Sequence, residues 1–225
     1  MWGLLRGIPE PEVKELLASA ERRRFRRDEV IFHEGDPAGA VHLIDAGRVA
    51  IRSTTPVGDV ATVHVLGSEG YFGEMALLSE GGVRSASAIA LEPTQTFAIS
   101  RTDFDRLRSK YPQVTDVLVR LLAERVRALT INLMEALYVP ADLRVLRRVI
   151  DLTQEYRTEQ DGIDVVIPMK QEVIAGLAGT SRATVNRVLR EEEKRGSLKL
   201  DRGRVTIHDP HAIAKRAYRH GMSPV

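Results

Sequence analysis

The sequence predicts an α+β fold: an N-terminal antiparallel β-roll, then a long helix, then a C-terminal winged helix-turn-helix. Three observations support this prediction. Short runs with an apolar period of two alternate with turn residues in the first half of the chain. A long apolar stripe of helical period follows, and two short predicted helices then flank a glycine ahead of a predicted hairpin. We therefore divide the chain into residues 1–111, 112–139 and 140–225.

The N-terminal part is predicted to contain a helix over residues 9–21 followed by short strands. Turn signals such as Glu34-Gly35-Asp36-Pro37 and Asp45-Ala46-Gly47 separate the strands. Strands this short and evenly spaced favour an antiparallel roll or barrel. The predicted strands are 30–32, 41–44, 48–52, 61–66, 87–90 and 94–99.

The middle of the chain is predicted to be helical. A helix over 101–111, capped by Ser100 or Thr102, is followed by a long helix from Pro112 to about Tyr138. Its apolar stripe fits either a domain core or a coiled-coil seam, and its length between two folded regions favours a dimer seam. The stripe consists of Leu118, Leu122, Val126, Leu129, Leu133 and Leu137.

Proline ends the long helix, because it cannot donate to the helical hydrogen-bond ladder. We place a hinge at Val139-Pro140-Ala141. A helix over 142–156 and a strand over 163–167 are expected next, and a hairpin at 198–207.

Residues 171–190 fit a helix-turn-helix. A small residue is needed where the two helices cross, and Ala175 stands there. The turn needs a residue that tolerates positive φ, and Gly179 provides it. Thr180 or Ser181 caps the second helix. The alternative, an ordinary packed helix pair with solvated arginines, explains fewer of these features.

The second helix of this motif is predicted to present polar side chains to the major groove. Arginine can bridge O6 and N7 of guanine, while Asn186 suits adenine or a phosphate. The hairpin resembles a wing whose basic side chains, Arg204 among them, would contact phosphates. The predicted DNA-binding residues are Ser181, Arg182, Ala183, Thr184, Asn186, Arg187, Lys199 and Arg202.

Residues 72–88 have the composition of a phosphate-binding segment. Glycine-rich turns at both ends of a short apolar helical turn leave backbone N–H groups accessible to an anion. Arg84 and Ser85, expected at the start of a strand, would neutralise and bind the phosphate. Glu74 is placed to accept hydrogen bonds from sugar hydroxyls. We call residues 72–88 the cassette.

Together, the cassette, the long helix and the winged helix-turn-helix resemble the CRP/FNR superfamily of bacterial transcription factors over roughly residues 8–210. The resemblance implies a homodimer that binds pseudo-palindromic double-stranded DNA, contacts RNA polymerase and responds to a cyclic nucleotide. It assigns the ribose to Glu74 and the cyclic phosphate to Arg84 and Ser85, with help from the Gly73 backbone. It also places Arg125 near the ligand and Thr130 at the base.

Three positions depart from that family. The hydroxyl pair that holds adenine aligns with Leu129-Thr130, so only one hydroxyl is kept. Cyclic AMP is our first expectation, and the incomplete hydroxyl pair keeps cyclic GMP as the second. Ala183 replaces a common glutamate that reads cytosine, so we expect no binding to a TGTGA-type half-site. Pro140 replaces an aspartate cap.

Composition limits the function classes. The chain has no cysteine, so it offers no disulfide and no thiolate metal site. Residues 1–140 carry 17 basic and 19 acidic side chains, whereas residues 141–225 carry 16 and 12, which suits nucleic acid. Without a transmembrane run or signal sequence, we expect a cytoplasmic protein with no membrane partner.

Other functions remain as alternatives. No nucleophile-and-base pattern indicates an enzyme, and His33, His42 and His64 are too scattered to predict a metal site. A nucleotide-independent regulator with a vestigial pocket is the alternative within the same class. From another class, a cyclic-nucleotide-binding scaffold without regulatory DNA binding remains open.

Overall fold

The computed structural model describes residues 2–78, 82–157 and 164–218. The chain folds as two units, Met1–Ala128 and Leu129–Val225. The boundary between them falls within the long helix, so the division into three parts stays an interpretation of the sequence.

The first unit is built on two antiparallel four-stranded sheets. Their strand orders are β1-β8-β3-β6 and β2-β7-β4-β5, and both sheets combine strands distant in sequence, as a roll requires. The expected antiparallel architecture is confirmed. In the described residues the strands are β1 Glu21–Phe25, β2 Val30–Phe32, β3 Ala40–Ala46, β4 Val49–Thr54, β5 Val60–Leu66, β6 Tyr71–Phe72, β7 Ser87–Ala90 and β8 Thr94–Ser100.

Two of these strands were not predicted. β1 reads Glu-Arg-Arg-Arg-Phe and is exposed along its edge, so it lacks the alternating apolar signal. It pairs with β8 from Glu21↔Ala98 to Phe25↔Thr94. Charged side chains on an edge strand discourage pairing with other chains. β6 has only two residues, too few for a periodic pattern.

Helices close one side of the first unit. After a 3-10 turn at Gly3–Leu5, the helices are α1 Glu10–Ser19, α2 Met75–Leu78, α3 Arg101–Lys110 and α4 Gln113–Tyr138. Ser100 caps α3 by accepting a hydrogen bond from the Asp103 N–H. The main core joins these helices to the first sheet and includes Leu4, Leu5, Val41, Leu43, Phe97, Ile99, Phe104, Val114 and Leu118.

The second unit is a helix-turn-helix with a small sheet. It contains α5 Ala141–Tyr156, β9 Val165–Ile167, α6 Gln171–Ala178, α7 Arg182–Lys194, β10 Leu198–Asp201, β11 Arg204–Ile207 and α8 Pro210–Ala217. The antiparallel order is β10-β11-β9. Residue 163, the predicted start of the strand at 163–167, lies outside the described residues.

The junction of α4 and α5 follows the proline prediction. α4 ends at Tyr138, and Pro140 occupies the N-cap of α5.

The helix α8 was not predicted from the sequence. It has eight residues, about two turns, and Asp209 caps it by accepting a hydrogen bond from the Ala212 N–H. Its brevity gives little periodicity from which to predict it.

Candidate functional site

The cassette of the first unit folds around Gly73 and Arg84. Gly73 directly follows β6 and has φ +86°, which favours glycine. A Cβ at this position would clash with Nη1 of Arg84, so any other residue would displace the arginine. Arg84 and Ser85 precede β7, which begins at Ser87, and are not at a strand start as expected. Residues 79–81 of the cassette lie outside the described residues.

Arg84 is buried in the wall of the cassette, with 6% of its surface exposed. Its Nη1 donates to the Gly73 carbonyl at 3.0 Å and its Nη2 to the Ala40 carbonyl at 2.9 Å. The guanidinium lies 4.0 Å from the ring centre of Phe32. Burial lowers the Arg84 pKa, against the opposing effect of Asp36 and Glu74. Its Nε is buried and has no hydrogen-bond partner among the described residues, so one donor remains for a further acceptor.

Glu74 is the acidic counterpart of Arg84 in the cassette. Only 1% of it is exposed, and one carboxylate oxygen accepts from Arg125 on α4. The other oxygen, Oε2, is buried without a partner among the described residues. A buried carboxylate oxygen without a donor is costly, and a hydroxyl group could satisfy it.

The predicted ligand residues, apart from one, line a single cleft. Gly73, Glu74, Arg84, Ser85 and Arg125 all contribute to it, and its free volume is about 50 Å³. That volume is close to the space of one or two waters. A cyclic nucleotide is larger than this, so it would extend beyond the cleft or displace side chains that line it.

Thr130, the remaining predicted ligand residue, belongs to the second unit. It lies exposed on α4. Its contact with a ligand stays a prediction.

A larger cavity of about 440 Å³ shares Phe32 and Arg84 with the cleft. Glu21, Asp36 and Asp103 line it together with Arg23 and Arg84, so acidic side chains outnumber basic ones there. Of these two pockets, the smaller cleft is the one lined by Gly73, Glu74, Ser85 and Arg125, which are predicted ligand residues.

His42 lies in the core of the roll. Its ring stacks on Phe72 with centroids 4.9 Å apart, and its Nδ1 lies 3.1 Å from the Thr96 hydroxyl. Burial, with smaller effects from Arg84 and Arg23, lowers the His42 pKa to about 3. No three His, Asp or Glu side chains converge as a metal site within residues 2–78, 82–157 and 164–218.

In the second unit, the helix-turn-helix has the geometry that its sequence predicts. Gly179 ends α6 in the left-handed conformation, with φ +57° and ψ +48°. Ala175 is buried at the helix crossing. The residues that hold the two helices together, Ile174, Ala178, Val185 and Val188, are all buried.

The second helix, α7, begins at Arg182 with Ser181 as its cap, which accepts from the Thr184 N–H. Arg182, Ala183, Asn186 and Arg187 are exposed, whereas Thr184 is half-buried.

The polar side chains of this face already have partners within the protein. Nε of Arg182 lies 3.1 Å from Glu172, and Asn186 donates to Gln171 at 3.2 Å.

Arg187 is held differently, through its terminal nitrogens. One donates to Asp142 and the other to Glu191 at 3.3 Å. The hydrogen bond that Arg187 donates to Asp142 is the main cause of a raised Arg187 pKa.

The hairpin β10–β11 forms the predicted wing. Lys199 and Arg204 both lie near Asp201, at 3.8 Å and 3.4 Å, and all of the predicted wing cations, Arg202 included, are exposed. Exposed pairs of this kind are weak and exchange readily for phosphates.

Two positioning contacts were missed from the sequence. Arg144 on α5 donates to the carbonyls of Val139 and Ala178, at 2.7 Å and 2.8 Å, and to that of Gly179 at 3.0 Å. It therefore links the end of α4 to the turn of the helix-turn-helix. An arginine on an amphipathic helix gives no sequence signal for such a role.

The other missed contact fixes α7 to the rest of the unit. Glu192 is 1% exposed and binds Arg216 of α8 and Arg195. Its place on the apolar face of α7, one turn after Val188, was a signal that sequence reasoning could have used.

The fold and these sites define a regulator in which an effector-binding roll accompanies a winged helix-turn-helix. Residues 22–111 match the cyclic nucleotide-binding domain family and residues 143–216 match the Crp-like helix-turn-helix domain family. The chain belongs to the CRP/FNR superfamily of transcription regulators. It is a CRP-like DNA-binding regulator with a cyclic-nucleotide-binding domain.

Similar proteins include regulators of known response. The chain is 33% identical to the cyclic AMP receptor protein of Thermus thermophilus, over 96% of each chain. It is 31% identical to a CRP-like cAMP-activated global transcriptional regulator of Mycobacterium tuberculosis, again over 96% of each. The solved structure of a c-di-GMP-responsive global regulator from Xanthomonas campestris has a TM-score of 0.76 at 22% identity, covering 89% of this chain and 99% of its own, and supports the fold alone.

None of the helices in the described residues is long and apolar enough to cross a membrane.

Proposed function

We propose that this chain is a homodimeric transcription regulator whose affinity for DNA is controlled by a cyclic nucleotide bound in the cassette. The observation that carries the proposal is a cleft with two buried polar atoms that have no hydrogen-bond partner among the described residues, Nε of the cation Arg84 and Oε2 of Glu74. One group suits a phosphate and the other suits a sugar hydroxyl. The same chain also carries the helix-turn-helix, whose second helix α7 would contact the DNA bases.

The cassette would hold the ligand through its own charges. Arg84 and Ser85 would bind the cyclic phosphate, while the backbone of Gly73 lets the anion approach closely. Glu74 would accept from the ribose, with Arg125 beside it. Cyclic AMP is the first candidate, supported by the responses of the Thermus and Mycobacterium relatives, and cyclic GMP is the second.

A homodimer would form along α4. The helix has 26 residues, a length of about 39 Å. Several of its apolar side chains are exposed in the single chain, and burying them against a second copy would remove that surface from water. They are Val119, Val126, Leu129, Ile131, Leu133, Met134, Leu137 and Tyr138.

The dimer would bind a pseudo-palindromic site in double-stranded DNA, with half-sites about 34 Å apart. Because Ala183 carries only a methyl group, the site would not be of the TGTGA type. RNA polymerase would be the further partner of a cytoplasmic regulator without catalytic activity.

Selection from random double-stranded DNA tests this function. The protein should enrich a two-fold symmetric sequence, and fluorescence anisotropy of that DNA should show tighter binding with cyclic AMP or cyclic GMP. Cyclic di-GMP serves as a comparison ligand. Enrichment of no sequence would leave the scaffold alternative as the better account.

A second candidate is a regulator that needs no nucleotide. It is favoured by one observation: the Arg125–Glu74 ion pair leaves only about 50 Å³ in the cleft. In that case DNA binding would be tight without ligand and unchanged by all three nucleotides.

A further inference from the structure

Two arginines of α7, the helix predicted to contact DNA bases, are held in different ways. Arg187 has both terminal nitrogens engaged, by Asp142 and Glu191. Arg182 instead forms an ion pair in which its Nε lies 3.1 Å from Oε1 of Glu172. Its terminal nitrogens make no hydrogen bond within residues 2–78, 82–157 and 164–218, so they are available to a ligand.

This difference matters because bidentate recognition of guanine uses two donors of one guanidinium. An arginine held at Nε can present both terminal N–H groups to O6 and N7. An arginine whose terminal nitrogens are already bound must first exchange them. The geometry therefore distinguishes the two arginines. The terminal nitrogens of Arg182 are available to contact a base, whereas Arg187 is better suited to contact a phosphate.

Glu172 is placed to impose this arrangement. It lies in the first turn of α6, whereas Arg182 begins α7, so the pair bridges the two helices of the motif. The side chains are 53% and 69% exposed. Such a pair contributes little to folding in water, but water leaves when DNA docks, and the attraction then strengthens.

We propose that Glu172 is a specificity-determining residue, which orients Arg182 through Nε so that its terminal nitrogens read one guanine. The assignment rests on the proposed DNA binding. This role would also explain why a carboxylate lies on a surface that approaches DNA. The negative charge of Glu172 repels the DNA phosphates, and the orientation of Arg182 offsets that cost.

Three variants test the assignment, with discrimination as the readout. Discrimination is the ratio of dissociation constants for the selected site with that guanine replaced and for the intact site. Glu172→Ala should lower it by about five- to tenfold, because an unoriented arginine loses part of a bidentate contact. Glu172→Gln keeps an acceptor for Nε, so it should retain most of the discrimination while binding all sequences more tightly.

Arg182→Ala provides the third variant. In its background, Glu172→Ala should change discrimination by less than about twofold, because the oriented group is gone. Glu10→Gln, which removes the same charge from an exposed pair with Lys14 in the first unit, is the matched control and should change neither quantity. Circular dichroism of each variant checks that the helices are intact.

The outcomes separate the two hypotheses. If the wild-type protein enriches no sequence, the proposed function falls, and the role of Glu172 with it. If it enriches a sequence but Glu172→Ala keeps wild-type discrimination, only the Glu172 assignment is overturned. A uniform gain in affinity for Glu172→Ala and Glu172→Gln alike would also overturn it, since that result marks simple repulsion of phosphates.

Discussion

The arginine of the cassette and those on the predicted DNA-binding face of α7 lie in contrasting environments. Arg84 is buried, bound to two backbone carbonyls and stacked on Phe32. Arg182 and Arg187 are exposed and paired with carboxylates. Burial of a cation is costly unless backbone acceptors fix it, so Arg84 is committed to one geometry. Exposed pairs exchange easily, which suits a surface that must bind phosphates and bases in turn.

The largest effect should come from Arg84→Ala. Without the buried cation, cyclic nucleotide affinity should fall by at least about 30-fold, because a charged hydrogen-bonded pair is lost. Calorimetry with cyclic AMP measures it, and circular dichroism should show that the helix-turn-helix remains folded.

Arg101→Ala is the matched control for this change. Arg101 also donates to two carbonyls, those of Ala76 and Leu77, but it does not line the cleft. Arg101→Ala should lose stability, and its loss of nucleotide affinity should be much smaller than that of Arg84→Ala, because Arg101 supports the cassette backbone without lining the cleft. Wild-type affinity in Arg84→Ala would mean that Arg84 is only structural.

Gly73→Ala should sharpen the contrast by testing how tightly Arg84 is fixed. An alanine at the φ of Gly73 is strained, which should lower the free energy of unfolding by about 1 kcal/mol or more. The contact of its Cβ with Nη1 of Arg84 should lower it by about a further 1–3 kcal/mol. Gly35 has the same backbone conformation, φ +87°, with no atom within 4 Å of a Cβ, so Gly35→Ala should show only the first cost.

Trp2, the single tryptophan, packs on Phe97 and allows unfolding of the first unit to be followed by fluorescence. Equal stability losses in Gly73→Ala and Gly35→Ala would show that Arg84 is not held as tightly as the structure indicates.

The burial of His42, which stacks on Phe72 of the cassette, should also make the first unit sensitive to acid. His42 keeps its neutral form until about pH 3 in the folded protein, against an ordinary pKa of 6.5. Below pH 6.5 the unfolded chain therefore binds the extra proton, and stability falls as pH falls. The loss should reach about 2 kcal/mol at pH 5.

Urea unfolding at pH 7.5 and pH 5, followed by Trp2 fluorescence, checks this prediction. His42→Gln should show a smaller difference between the two pH values. Arg84, Arg23 and Glu21 also influence this group, so the comparison is between proteins at matched pH. Equal pH dependence in both proteins would contradict the burial argument.

On the exposed face, Arg182→Ala should cost about 1–3 kcal/mol of DNA-binding free energy and relax specificity at one base. Anisotropy with DNA substituted at each position measures both effects. A loss of equal size on every sequence would instead identify Arg182 as a phosphate contact.

The smallest effect is expected for Asp142→Ala, which removes the acceptor of one terminal nitrogen of Arg187. Affinity should rise by about twofold on all sequences, and the gain should shrink as salt increases. A change in discrimination would show that Arg187 reads a base.

The sequence predicted most of the architecture because its signals were local. Gly179 and the cap at Ser181 carry their own turn and capping chemistry, so the helix-turn-helix could be recognised from spacing. β1 was missed because an arginine-rich edge strand lacks apolar alternation. The orientation of Arg84 toward the Ala40 carbonyl depends on a contact between residues 44 positions apart, which no local pattern encodes.

The same limit applies to the closed cleft. Glu74 and Arg125 were both predicted as ligand residues, yet their mutual ion pair spans 51 positions and appears only in the fold. Likewise, the link from Arg144 to the turn at Gly179 needs the packing of α5 on α6.

The most direct test of control by a cyclic nucleotide is calorimetry with cyclic AMP and cyclic GMP, with and without the selected DNA. Linkage requires that ligand tighten DNA binding by the same factor by which DNA tightens ligand binding. We predict heat of binding for at least one nucleotide and equal factors in both directions. No heat with either nucleotide, or a ligand affinity that DNA leaves unchanged, would contradict the account.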